Sequence, residues 1–409
     1  MTRRQQPGAR SNGMIRGPPS LASHPPEANA YRTRWSMVRG SMNVTHPRSH
    51  ILLAIASVME KTPTIVDVAR LAGVSVATAS RSLTRARRVD PRLQARVLAA
   101  ATELSYAPNP HARALAQATD ASVGVVVHDV SDPYFSEIVS GMLNAAADSD
   151  RLILFCNTYR DPGRELAYVR HFRAQRVQAV VLAGSGLEDR QFSTAMAEQI
   201  VGLESAGGRV VLIGRHYAPG DAVLPDNFGG ARALATALAE LGHRRVGVIA
   251  GPPQLTTTAD RLAGFRRGLQ EAGLELPPQA VVTGDFSRDS GERAVGALLG
   301  ATAGLSAIFA CNDVMAVGAL RALRERGLRV PDNVSVAGFD DIPIVRDVCP
   351  PLTTVRVPMA RMGELALRMV IEDSGSSALR VEHLPTEVVL RASTGPPPKV
   401  PAKSSGFVG

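Results

Sequence analysis

Between Thr64 and Leu83 the run TIVDVARLAGVSVATASRSL places an arginine, Arg81, and three hydroxyls, Ser75, Thr78 and Ser80, on one short segment. That combination can read a nucleic acid. A guanidinium meets guanine O6 and N7 through two parallel hydrogen bonds in the major groove, a contact worth ~1–3 kcal/mol of discrimination. Hydroxyls and helix-terminal amides bond phosphate oxygens. Val76 and Ala77 are small and apolar, suited to thymine methyls or to close approach. In YAPNPHARALAQ (106–117), Asn109 is placed as a helix cap, Pro110 as a first helical residue, and Ala112, Leu115 and Ala116 share a face. By itself this is a solvated linker helix. Beside a DNA reader, one leucine among alanines suits a wedge in the minor groove. Other chemistries lack their residues. There is no GxSxG, no GxxxxGKS/T and no metal-spaced His/Cys set, and Cys156, Cys311 and Cys349 lie far apart. Catalysis, a metal, a cofactor and a disulfide scaffold are therefore not expected.

Charge agrees with a polyanion-binding front end. The formal net charge is +9. Residues 1–118 hold 17 Lys/Arg against 5 Asp/Glu, whereas residues 119–409 hold 29 against 32. The whole basic excess therefore precedes residue 119. At roughly 150 residues per domain, 409 residues suggest two or three domains. No apolar run reaches the ~18–20 residues that span a bilayer. The short stretch Ile51–Met59 lacks the position and cleavage site of an export signal. A DNA target implies a cytoplasmic protein.

These residues need elements to hold them. Thr64 is placed to cap a helix, with Asp67 in the reciprocal position; Val68 and Leu71 form its apolar stripe. Gly73 permits the left-handed turn, and Ser75 caps a second helix with Ala79 inward. Asp90-Pro91 starts a third, with Val97, Leu98, Ala101 and Leu104 on one face. Two short helices about a glycine turn make a helix-turn-helix, whose second helix enters the major groove. From Ser122 the texture changes. Strands are expected at 123–130, 151–158, 177–184 and 209–215, then at 246–251, 280–285, 307–313 and 334–341. Helices are expected at Phe135–Ala147, Gly230–Leu241, Ala259–Ala272, Gly291–Leu299 and Val314–Arg326. Val/Ile-rich strands separated by helices mean parallel sheets covered on both faces, in two α/β lobes with ligands at the strand C-terminal ends. The expected division is a disordered extension over 1–60, with Met42 and Met59 as alternative translation starts, then a helix-turn-helix domain over 61–107. A hinge and linker follow over 108–121, a two-lobed domain over 122–394 and a disordered tail over 395–409.

TIVDVARLAGVSVATASRSL followed by YAPNPHARALA resembles the LacI/GalR family of bacterial transcription repressors. Further marks are SDPYFSEIVSGM (131–142), LPDNFGGARAL (224–234), LGHRRVGVIAG (241–251), DRLAGFRRGL (260–269), CNDVMAVGAL (311–320), VSVAGFDDIP (334–343) and PPLTTVRVP (350–358). The resemblance runs from about Thr64 to Thr394. It implies a homodimer on a pseudo-palindromic double-stranded DNA operator, with Leu115 opening the central step. It also implies a type I periplasmic-binding-protein-like core. The N-lobe is then about 122–223 and 354–383, and the C-lobe about 224–353 and 384–394.

The same resemblance implies a small effector between the lobes, a sugar or a nucleobase. By position, Arg261 grips ligand oxygens, Asp340 and Asn312 bond hydroxyls, and Phe286 is an aromatic wall. Tyr134 and Phe135 line the opposite lobe, and Arg215 adds positive charge to the cleft. Two cleft arginines favour an acidic or phosphorylated ligand. The Asp226-Asn227 pair reads as structural and His243 as a helix-end residue. The competing class is a transporter's solute-binding protein, which shares the two-lobed body but has no helix-turn-helix.

Overall fold

The computed structural model describes residues 63–83, 89–106, 122–147, 151–372 and 378–398. These fall into a helical unit that ends by Ala107 and a larger unit that follows it.

The helical unit contains α1 (Ile65–Ala72), α2 (Val76–Leu83) and α3 (Pro91–Glu103). The Thr64 amide and hydroxyl both donate to the Asp67 carboxylate, at 2.9 and 2.6 Å, and hold its pKa below the usual value. Gly73 adopts φ +63°, and a Cβ there would lie 2.8 Å from Arg96 Nη2, which bonds the Ala72 carbonyl at 2.6 Å. The turn is thus left-handed and also crowded by the third helix. The core is made of small residues: Val68, Ala69, Ala72, Ala79, Val97, Ala100 and Ala101. Leu71 and Leu98, expected on the apolar faces, are instead exposed. Helices this short cross closely enough that alanines fill the centre, and the leucines fall outside it.

The larger unit begins with β1 (Val123–Val127), α4 (Pro133–Ala146), β2 (Ile153–Asn157), α5 (Pro162–Ala174), β3 (Ala179–Ala183), α6 (Arg190–Glu204), β4 (Arg209–Ile213) and β5 (Asp221–Pro225). It continues through α7 (Asn227–Glu240), β6 (Val246–Ala250), α8 (Thr256–Glu271), β7 (Val281–Thr283), α9 (Arg288–Ala301), β8 (Ala307–Ala310), α10 (Asp313–Glu325) and β9 (Ser335–Ala337). It closes with β10 (Thr354–Arg356), α11 (Met359–Ile371), β11 (Val381–Leu384) and β12 (Glu387–Val389). One sheet has strand order β11-β5-β4-β3-β1-β2 and the other β7-β6-β8-β9; both are parallel throughout. β1, β3, β6 and β8 are wholly buried, as central parallel strands must be.

Several boundaries differ from the sequence reading. Helices begin one to three residues earlier, because Asp132, Asp226, Ser287 and Asn312 accept the amides of Tyr134, Gly229, Ser290 and Met315 and start the helix immediately after themselves. The lobe crossings fall later than expected. Pro225 still pairs with Leu384 in the first sheet, and β10 pairs antiparallel with β12 rather than joining the N-lobe. Folded structure also runs past 395. The Gly395 amide donates to Ser335 Oγ at 3.1 Å, and its carbonyl lies 2.9 Å from His243 Nε2. His243 is the helix-end residue expected, its amide donating to the Leu238 carbonyl of α7 at 3.1 Å, and its buried ring also ties Ser306 to the C-terminal strap.

α4 packs on α11 through glycines. A Cβ on Gly141 would sit 1.9 Å from the Ala360 carbonyl oxygen, and one on Gly363 would sit 1.9 Å from that of Ile138. Backbone cannot yield cheaply, so Gly141→Ala is expected to destabilise the protein by at least ~1–3 kcal/mol. Thermal unfolding of the purified variant measures this; an unchanged midpoint would show that the helices can slide apart.

Candidate DNA-recognition face and effector cleft

The Ser75 hydroxyl caps α2 by accepting the Thr78 amide at 3.2 Å and lies 2.9 Å from Thr78 Oγ1. Ser75 is therefore a cap whose outer side remains exposed. Val76, Ala77 and Arg81 are exposed along α2, with Thr78 and Ser80 half-buried between them and the core. Arg81 Nε donates to the Ala77 carbonyl at 3.1 Å, which lays the guanidinium along the helix surface. Val76, Ala77 and Arg81 thus share the outward side of one helix, and Ala79 and Ser82 anchor its other side. Thr64 caps α1. Asn109, Ala112 and Leu115 lie outside the described residues.

In the larger unit the strand C-terminal ends converge on one cavity. Its lining includes Tyr134, Phe135, Arg261, Phe286, Asn312 and Asp340 from the sequence reading, together with His128, Asp132, Arg160, Ser185, Asn227 and Thr257. Arg261 is 2% exposed. Its Nε donates to Asn227 Oδ1 at 2.9 Å, Nη1 to the Cys311 carbonyl at 2.5 Å and Nη2 to Asp340 Oδ1 at 2.8 Å; its plane lies 3.9 Å from the Phe339 ring centroid. The N-lobe carries a second such pair. Arg160 Nη2 lies 3.2 Å from Asp132 Oδ2, and the guanidinium sits 5.5 Å over the Phe286 ring from the opposite lobe. His128 directly follows β1, with its ring 5.6 Å from Phe135 and its Nε2 3.8 Å from Glu165. A Cβ on Gly184 would meet that imidazole at 2.6 Å, so the glycine makes room for it.

Strain accompanies this geometry. Phe286 and Asp340 hold φ of +69° and +119°, conformations that non-glycine residues occupy at a cost. Asp341 helps to impose the second, accepting Arg356 Nε at 2.8 Å and Arg391 Nη2 at 2.5 Å. Asp313 supports the same loop through Thr354 Oγ1 and the Ile342 amide.

Two expected ligand residues have other roles. Arg215 is absent from the lining. It forms a two-pronged ion pair with Asp260, at 3.0 and 2.7 Å, and donates to Tyr217 Oη at 2.6 Å. An acidic residue preceding Arg261 in α8 captures it before it reaches the cavity. Asn312 lines the cavity, but its carbonyl oxygen caps α10 and its amide donates to the Phe286 carbonyl at 3.2 Å. It therefore positions the aromatic wall. Conversely, Asn227, read as structural, is a wall residue. Asp132 and Asn227 sit where helix caps and crossovers are found, and no local pattern sets them apart from such residues. Arg160 could have been suspected as a charged residue in a strand-end loop.

Burial pushes the Asp340 carboxyl up to about 7, against the pull of Arg261 and with help from Asp132 across the cleft; burial also raises Asp132. For Asp340 the folded pKa lies above the unfolded one, so its contribution to stability is fully present below pH ~4 and is lost as pH rises through about 7. A hydroxyl-bearing ligand bonds the carboxylate form and lowers that pKa. Ligand affinity is therefore expected to rise roughly tenfold from pH 6 to 8, with proton release on binding. Calorimetry in two buffers of different ionisation enthalpy measures both, and a flat profile would remove Asp340 from the ligand contacts.

Among the described residues no His, Cys, Asp and Glu are grouped to hold a metal, and no helix is long and apolar enough to cross a membrane. Residues 64–109 match the family model for bacterial regulatory proteins of the lacI family, and residues 235–394 match a periplasmic binding protein-like domain. The chain is 39% identical to the HTH-type transcriptional regulator GalS of Salmonella typhimurium, over 77% of this chain and 91% of that protein. It is 31% identical to the HTH-type transcriptional repressor PurR of Haemophilus influenzae, over 81% and 98% respectively. Among solved structures, a lac repressor dimer bound to operator and the anti-inducer ONPF superposes with TM-score 0.71 at 27% identity, covering 82% of this chain and all of that one. The regulator CelR in complex with cellobiose gives 0.58 at 31%, covering 81% and 99%. The paired short helices, the two parallel-sheet lobes and these similarities together make the chain a member of the lacI family of bacterial transcriptional regulators.

Proposed function

We propose that this protein is a cytoplasmic repressor that binds a pseudo-palindromic operator as a homodimer and is controlled by a neutral sugar held between its lobes. The observation that carries the effector class is the pairing of charges in the cleft. Arg261 is matched by Asp340 and Arg160 by Asp132, one pair from each lobe. Each guanidinium already has a carboxyl partner, so an acidic or phosphorylated ligand finds no unpaired arginine there, contrary to the expectation from two arginines alone. A polyol suits this lining. Hydroxyls can donate to the carboxylates and accept from the guanidiniums, while an apolar ring face packs on Phe286 or Tyr134. The CelR structure with cellobiose supports a sugar, and the lac repressor dimer on operator supports paired DNA binding. The family match over 64–109 weighs against a transporter's solute-binding protein.

The test is operator selection from random DNA with the full chain, followed by a screen of ligands for their effect on that complex. Neutral mono- and disaccharides are expected to change operator affinity. Uronic acids and sugar phosphates of the same stereochemistry are expected to act at least tenfold more weakly. Equal potency of a sugar and its phosphate would overturn the charge argument, and a failure to select any sequence would overturn the operator reading.

A further inference from the structure

The cavity encloses about 40 Å³, room for a few waters, so a sugar can enter only if the lobes part. One seam of hydrogen bonds and ion pairs ties them across the cleft. From the N-lobe come residues 185–188 and Arg215; from the C-lobe come Gln254 and the first turns of α8. The Glu188 amide donates to the Gln254 carbonyl at 2.8 Å, and the Thr256 amide to the Gly186 carbonyl at 3.0 Å, around an antiparallel bridge between Leu187 and Leu255. Thr256 Oγ1 donates to the Arg215 carbonyl at 2.7 Å and Ser185 Oγ to Thr257 Oγ1 at 2.6 Å. The Arg215–Asp260 pair completes the seam, with Glu188 Oε1 3.5 Å from the same guanidinium. Arg215 and Asp260 also line a groove formed by the crossings themselves, Pro225 to Phe228 and His383 to Pro385. The ion pair therefore spans the two lobes beside the segments about which they would rotate.

We propose that Arg215 and Asp260 form a charged interlobe brace that sets how readily the effector cleft opens. The pair ties residue 215, just past the end of β4, to the first turns of α8. Rotation of the lobes separates the pair, and it also breaks the two backbone bonds beside it. Tyr217 and Glu188 hold the guanidinium on the N-lobe side, so Asp260 is the half that lets go. The side chains of Arg215 and Asp260 are 36% and 27% exposed, so salt reaches the pair. The brace acts in the free protein and is independent of which ligand the cleft takes.

Its test needs neither DNA nor effector. Hydrogen exchange by mass spectrometry, on the full chain, reads the Thr256 and Glu188 amides as reporters of opening, with the β3 amides as a control for global unfolding. In Asp260→Asn and Arg215→Leu, the two reporters are expected to exchange at least tenfold faster than in the wild type while β3 is unchanged. Asp260→Glu should recover part of the protection. Raising salt from 0.05 to 1 M should likewise speed the reporters, but not β3, in the wild-type protein. Reporter rates that ignore both the substitutions and the salt would overturn the brace. If the variants exchange faster everywhere, the wild-type salt series decides alone, a selective response supporting the brace and a flat one refuting it.

Discussion

Arg261→Leu is expected to abolish the effector response while leaving operator binding in place, and to lower stability by roughly 3–5 kcal/mol, the cost of stranding one partner of a buried ion pair. Three acceptors lose their donor at once: Asn227 Oδ1, the Cys311 carbonyl and Asp340 Oδ1. Asn227, Cys311 and Asp340 are all buried, so none gains more than the little water the cavity can hold. Asp340 then takes up a proton, which its raised pKa already favours. The Phe339 ring also loses the guanidinium packed 3.9 Å from its centroid. Most of the cost is the unmatched Asp340 carboxyl, which must either stay charged or take up a proton, together with the two other orphaned acceptors, so Asp340→Asn added to Arg261→Leu should restore part of the stability but none of the ligand response. Denaturant titration and effector-dependent gel shifts on the single and double variants separate the two roles. An Arg261→Leu protein that still answered the effector would place the ligand elsewhere. Operator affinity without effector is the internal control.

How much of this was legible beforehand follows from how local each cause is. The helix-turn-helix was readable because its determinants are within a few residues of each other: Asp67 on Thr64, Gly73 at its positive φ, Asp90 on the Arg92 amide. The central strands were readable because burial on both faces demands unbroken runs such as VGVVV and AVVLA. α5 was not, since PGRELAYVRHFRA buries only Glu165, Val169 and Phe172 and offers no clear apolar stripe. β10, β11 and β12 are short, β5 (DAVLP) lacks an unbroken apolar run, and all four owe their form to partners far along the chain, as when Thr354 faces Val389. The cleft shows the same division. Arg261 and Asp340 could be named by family position, but the direction of an arginine side chain depends on which carboxylate reaches it first. Arg215 goes to Asp260 across the lobes and Arg160 to Asp132 between two strand-end loops of one lobe, choices made by tertiary packing rather than by neighbouring residues. The strained φ values at Phe286 and Asp340 carry no glycine to announce them.

The other large effect belongs to Arg81. Arg81→Ala should cost ~1–3 kcal/mol at one base pair, and a homodimer reading two half-sites incurs that loss twice, so specific operator affinity should fall by about 30-fold to 10⁴-fold. Its exposure on α2, beside Val76 and Ala77, is what recommends it for the groove, whereas Thr78 and Ser80 are partly covered and Ser75 is engaged as a cap. A phosphate contact from the same position would look different. It would weaken binding to every sequence alike and reduce the dependence of affinity on salt by roughly one ion per contact. A base contact instead erases the preference at one symmetric pair of positions, with non-specific affinity little changed. Arg81→Lys distinguishes them further, because it keeps the charge but not the planar two-pronged geometry, and so should preserve a phosphate contact and lose guanine selectivity. A gel-shift panel of single-base operator variants at two salt concentrations yields both quantities. If Arg81→Ala kept the wild-type order of preference across that panel, the base-reading role would pass to another residue of α2, with Val76 and Ala77 contacting thymine methyls as the remaining exposed candidates.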